Sequence, residues 1–174
     1  MSNFDTASYN RQGLMFYAAN QAAATVTLIN TSTATGFILS NPYGSGRKAL
    51  LVSASFTYTT VPTATAVVWL AQSTAPSPVA HATVTALTVY GADGSGASGA
   101  AVCRAYNAST TPNLPVYTRA IGYSPTTPAT TGGLTVRAQI DGEIILVPGS
   151  YIQVSYITTA PVGQTEMFWV EVPA

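Results

Sequence analysis

The sequence predicts an all-β fold, an antiparallel β-sandwich of about nine or ten strands with an N-terminal extension. Three observations carry that reading. Apolar and polar residues alternate at period two through most segments, turn residues punctuate them at short intervals, and nowhere does a 3.6-residue helical period emerge. With eight or more core strands in 174 residues, a jelly roll is the leading version of the sandwich. No repeat of fixed period and no domain boundary divide the chain.

In chain order, residues 1–23 carry little strand signal beyond Leu14-Met15-Phe16-Tyr17. Exposed, that tetrad would be a liability. It is read as an edge strand of the same domain or as an arm docked on a neighbouring subunit. The sandwich then occupies 24–174 as a single domain. Ala24 to Asn30 alternates, and Gly36 to Ser40 is a short apolar strand ended by Asn41-Pro42-Tyr43-Gly44-Ser45-Gly46. Ala49 to Thr60 is the longest upstream strand, expected to place Leu50, Val52, Ala54, Phe56 and Tyr58 on one side. Ala64 to Gln72, around Trp69, is continuously apolar, which predicts cover on both faces, the second supplied by another subunit.

Val79 to Tyr90 is rich in Thr and Val, Gly91 to Gly99 is a glycine loop, and Ala100 to Tyr106 and Leu114 to Tyr123 are further strands. Ser124 to Gly133 is a polar loop leading into the closing third. There Leu134, Val136, Ala138 and Ile140 share one face, and Asp141-Gly142 makes a turn. Ile144 to Val147 ends at Pro148-Gly149. Tyr151 to Thr158 and Met167 to Val172 complete the sheet.

Charged residues are only 7% of the chain, where about 25% is usual. The formal net charge is zero, a state that favours association over dispersal. A nearly uncharged exterior suits a subunit covered by its neighbours, because buried charges are costly unless paired. The six basic residues are scattered except for Arg47-Lys48, which leaves no footprint for nucleic acid. No apolar run of about 18 residues is available to span a membrane. The amino end lacks the features of a secretory signal, so cytoplasmic synthesis is expected. Cys103 is the only cysteine and reads as a small buried apolar residue.

Catalytic chemistry finds little support. His81 is the sole histidine, its neighbours read as strand, and no G-x-S-x-G elbow occurs, so a hydrolase centred on it ranks last. Gly44-Ser45-Gly46-Arg47-Lys48 fails as a phosphate loop, because Ala49 and a strand follow the lysine. A hairpin tip presenting Arg47 and Lys48 to an acidic surface fits better. Asp141 and Glu143 flank one turn, where they solvate a hairpin more readily than they flank a sugar. No metal-ligand spacing exists, and neither metal nor cofactor is expected, a calcium at the Asp93 loop being the weak exception. The sequons at Asn30 and Asn107 are expected to stay unmodified. Ten tyrosines suit contact surfaces, Tyr43, Tyr90 and Tyr123 standing at strand ends.

Two hairpins carry a resemblance. Gly36 to Val52, with Asn41-Pro42-Tyr43-Gly44-Ser45-Gly46-Arg47-Lys48 at its tip, resembles the strand, N-P-x-G-S-G-K, strand hairpin of small virion proteins of tailed bacteriophages. Asp141 to Val154, with Ile145-Leu146-Val147-Pro148-Gly149-Ser150-Tyr151, resembles their I-x-L-x-P-G-S-Y hairpin. Phe168-Trp169-Val170-Glu171-Val172-Pro173 is similar to their W-x-E-x-P ending. The resemblance implies a jelly-roll, non-enzymatic head decoration (cement) protein, a homotrimer in the virion that binds and stabilises the major capsid protein shell. Leu14, Phe16, Tyr17, Tyr43, Arg47, Lys48 and Trp69 are the candidate contacts to capsid or to other subunits. The alternative is a receptor- or glycan-binding module of a tail, fibre or spike, using loops 91–99 and 124–133.

Overall fold

The computed structural model describes residues 5–28, 32–60, 62–97, 99–124 and 134–174. It is a β-sandwich of two antiparallel sheets, one of eight strands and one of six. The larger sheet contains β1 (Met15–Ala19), β2 (Ala24–Thr25), β4 (Arg47–Tyr58), β7 (Tyr90–Gly91), β8 (Gly96–Ala97), β11 (Thr135–Gln139), β12 (Ile145–Leu146) and β14 (Val162–Pro173). The smaller contains β3 (Thr33–Ser40), β5 (Ala66–Ser73), β6 (Ala82–Leu87), β9 (Arg104–Thr110), β10 (Pro115–Ser124) and β13 (Tyr151–Ile157). The first runs β11-β4-β14-β1-β7-β8, with β12 also on β4 and β2 also on β14; the second runs β10-β5-β13-β3-β9-β6.

The core lies between the sheets. β1 contributes Phe16 and Ala18, β4 Leu51, Ala54 and Phe56, and β14 Met167 and Trp169; β3, β5 and β13 answer with Phe37, Leu39, Val68, Leu70, Ile152 and Val154. Apart from the step from Leu51 to Ala54, these positions follow the period-two rule that one face of each strand is dry. The expected Asp141-Gly142 turn forms, with φ of 50° and 82°. Gly149 takes φ 86°, the left-handed value that the second residue of a Pro-Gly turn requires.

Four expectations change. A six-residue helix, Thr6–Arg11, precedes β1, where no helix is expected; Asp5 caps it, accepting from the Ser8 N–H at 3.1 Å. Leu14 to Tyr17 does not form an edge strand or a free arm, because β1 lies between β14 and β7. In β4 the alternation slips: Phe168 pairs Ser53 but Trp169 pairs Leu51, so Val52 is an extra residue. That bulge turns Leu51, not Leu50, into the core, and the Val52 carbonyl accepts from the N–H groups of both Ile140 (2.8 Å) and Asp141 (3.0 Å). The glycine loop at 91–99 opens as a hairpin, β7 pairing β8. Residue 98, the Asn30 of the first sequon and positions 125–133 of the second loop lie outside the described residues.

The outer face of β13 is also buried, and the chain itself supplies the cover. His81 meets the Tyr151 ring edge to face at 5.1 Å, and Ala34, Ile38 and Tyr151 form a second small cluster with Tyr106 against it. Trp69 of β5 is half-buried against Tyr117 of β10, ring centroids 5.3 Å apart. Its indole N–H is buried without a partner among the described residues.

Candidate functional site

The segments that carry the resemblance meet at one end of the sandwich. Asn41 follows directly on β3 and is fully buried. Its side-chain amide donates to the carbonyls of Arg47 (2.7 Å) and Leu146 (2.9 Å). Both neighbours only accept, so the amide orientation is fixed by chemistry. The Asn41 backbone completes the junction: its N–H donates to the Ser150 carbonyl, and the Gly149 N–H donates to its carbonyl at 2.8 Å. Asn41-Pro42 and Pro148-Gly149-Ser150 are therefore two halves of one hydrogen-bonded corner.

Gly149 has no room for a side chain. A Cβ there would stand 2.8 Å from Tyr43 Cδ2 and 3.0 Å from the backbone N and O of Ser77. The Ser77 N–H also donates to the Gly149 carbonyl at 3.0 Å, tying the 74–81 connection to the corner. Pro173 and Val172 pair with Arg47 and Lys48, and the Ala174 N–H donates to the Gly46 carbonyl. What projects is Tyr43, 64% exposed, with Arg47 and Lys48 half-buried beside it.

The W-x-E ending is an internal clamp. Glu171 is buried, and one carboxylate oxygen accepts from the Val102 N–H at 2.9 Å. The other accepts from the Cys103 N–H at 2.9 Å and from the Trp169 indole at 3.0 Å. Closing strand, core tryptophan and the 101–103 segment are thus held by one charged group. Burial, and then the nearby Glu171 carboxylate, push the Cys103 thiol well above its ordinary pKa, so it stays protonated and unreactive while the fold is closed.

Beside the corner is a cavity of about 180 Å³ lined by Tyr43, Pro78, His81, Tyr106 and Pro112 among others. His81 Nδ1 lies 2.7 Å from Ser109 Oγ, and that hydroxyl lies 3.0 Å from the Thr110 carbonyl oxygen. The serine has one proton to give to either neighbour, so the donor in the His81–Ser109 pair is set by the histidine tautomer. Desolvation lowers His81 to about 4, so the ring is neutral at pH 7. Among the described residues no group of three or more His, Cys, Asp or Glu could hold a metal.

The candidate contacts do not form one patch. Tyr43, Arg47 and Lys48 share the corner. Phe16 is corrected to a core residue, 3% exposed and packed on Trp169 at 6.3 Å, and so offers no surface contact. Leu14 is half-buried, its carbonyl accepting from the Glu171 N–H at 2.9 Å. Tyr17 points to the outer face of the larger sheet and Trp69 to the outer face of the smaller. Tyr17 there belongs to a ladder missed by sequence reading: it stacks on Phe168 at 5.2 Å and on Tyr90 at 5.4 Å across β14, β1 and β7. The alternation marks strands around these rings, but their pairing depends on strand order. Comparison of the chain with protein-family models, with curated proteins and with solved structures finds no match in any of the three.

Proposed function

We propose that this chain is a non-enzymatic virion structural protein of a tailed bacteriophage, a homotrimeric head decoration protein that binds and stabilises the assembled major capsid shell. The observation that carries the reading is the corner itself. The hairpins that resemble those of phage virion proteins are bonded to each other through Asn41 and Gly149, and the W-x-E-x-P ending closes on Gly46. The resemblance therefore falls on one built feature rather than on scattered turns. That feature presents Tyr43 with Arg47 and Lys48, an aromatic anchor beside two cations, on a chain with only twelve charged side chains.

A jelly roll is the finer reading of the fold, and strand order supports it. Within the larger sheet β1-β14-β4-β11 are consecutive neighbours, and within the smaller β3-β13-β5-β10 are. Along the chain these eight strands change sheet at every step except β5 to β10. The segment between those two adds β6 and β9 to one sheet and β7 and β8 to the other. This is the interleaving that two nested Greek keys produce.

The alternative, a receptor- or glycan-binding module of a tail, fibre or spike using loops 91–99 and 124–133, predicts label on tails and binding to oligosaccharide instead. The test is location and binding. The decoration reading expects antibody against the chain to label the heads of intact particles, and purified protein to co-sediment with emptied shells. Tyr43→Ala and Lys48→Glu should each weaken that binding about tenfold or more. A monomer at micromolar concentration with no affinity for shells would remove the reading.

A further inference from the structure

The sandwich has two long sides, and they differ. On one, β10 and β11 close on each other: a Cβ at Gly122 of β10 would lie 2.7 Å from Val136 of β11. Arg119 of β10 forms an ion pair with Glu143, and Arg137 sits on β11. Both edges thus carry a charge, the usual device against edge-to-edge association. The opposite side is open. There the larger sheet ends in β8, only two residues long, and the smaller ends in β6, six residues of Ala-Thr-Val-Thr-Ala-Leu.

β6 lacks charge and proline, two of the devices that protect an edge, and keeps only a bulge. No proline interrupts it, and no Asp, Glu, Lys or Arg occurs anywhere between Lys48 and Asp93. Five of its six residues are exposed, Val84 at 45%, and Val79 just upstream is 64% exposed. A bulge around Thr83, whose φ is 50°, leaves Thr83 and Val84 without register partners in β9. A cavity of about 510 Å³ runs along the inner flank, lined by Val84, Ala86, Leu87 and Ala105 among others. Strand addition uses such an edge for main-chain bonds and such a space for a side chain.

We infer that β6 pairs with β6 of a second copy of this chain, antiparallel about a two-fold axis, joining two smaller sheets into one. Charge selects the partner. In a symmetric pair each edge meets itself, so the arginine of β10 or of β11 would enter the seam twice, whereas β6 meets a strand as neutral as itself. The pairing goes beyond the capsid reading and does not depend on it. It joins chains two at a time, so a three-fold contact elsewhere on the surface is left intact.

The experiment is sedimentation of the full chain at tens of micromolar, with Val84→Lys/Thr85→Lys as the variant and Gln139→Lys on β11 as control. The expected result is a wild-type mass of twice 17.9 kDa or a higher even multiple, halved in the double variant and unchanged in the control. A second arm places single cysteines at Val84, Thr85 and Ala86 and oxidises with diamide. Cys103 is buried, so the introduced thiol is the reactive one, and one position near the axis should cross-link. A monomer, an odd-numbered assembly, or a mass indifferent to the two lysines overturns the proposal. Should the double variant not fold, absence of cross-linking at all three positions overturns it. Pairing without shell binding would refute the capsid reading alone.

Discussion

Replacing Glu171 by Gln tests whether one buried carboxylate fastens the closing strand to the rest of the sandwich. The carboxylate accepts three N–H groups, from Val102, Cys103 and the Trp169 indole. A carboxamide can keep the two donors that share one oxygen, but its NH2 must then face the Val102 N–H. One charge-assisted bond is lost and a donor is left unmatched, which together cost roughly 2–4 kcal/mol. Much of that loss is local, in the 101–103 segment, and Cys103 reports it. If native labelling proceeds through local opening, the rate with a disulfide reagent should rise about 30- to 700-fold, at 1.4 kcal/mol per decade. The urea midpoint should fall in parallel. A labelling rate within about threefold of wild type, with an unchanged midpoint, would show that the clamp contributes nothing.

Asn41→Ala removes both bonds that close the corner and should cost about 2–3 kcal/mol by urea denaturation, with shell binding weakened because Tyr43 loses its mount. Gly149→Ala puts a methyl against Tyr43 and the Ser77 backbone at a left-handed φ, so a loss of about 2–4 kcal/mol is expected; Val147→Ala nearby should cost much less. Lowering pH should destabilise the fold between about 6.5 and 4, because there the unfolded chain protonates His81 while the folded ring, at about 4, stays neutral. Full burial would make this about 3 kcal/mol; the partly exposed ring reduces it to roughly 1–2, and His81→Gln should flatten that part of the pH profile.

Alternation locates the dry face only in part. Ala138 of β11 and Ile140 just after it are buried as their spacing requires, while Leu134 on the same face is 40% exposed; in β14 Met167 and Trp169 face the core while Phe168 faces out. It fails at Val52 because a bulge is a property of two strands: the extra residue is visible only against Phe168 and Trp169. It also understates β13, whose Tyr151, Gln153 and Ser155 are buried on the outward side by residues far along the chain, His81 among them. The candidate site divides in the same way. Asn-Pro-Tyr-Gly-Ser-Gly marks Tyr43 as a projecting tip from composition alone. That Asn41 reaches Leu146, 105 positions away, has no local signature. Phe16 illustrates the converse error, since an isolated apolar tetrad looks like a docking arm until β14 and β7 flank it.

The closing third of the chain nonetheless organises the whole, for a reason that strand order makes plain. β13 lies between β5 and β3, and β14 lies between β4 and β1. One of the two inner strands of each four-strand set is thus among the last in the chain, and its neighbours come from the first half. Until β13 and β14 arrive, β1 and β4 have no common partner and neither core face is complete. Such pairings are non-local almost throughout, which makes folding slow and leaves edges open for longer. An uncharged edge like β6 is then hazardous in the unfinished chain, and tolerable in the finished one if a neighbour covers it.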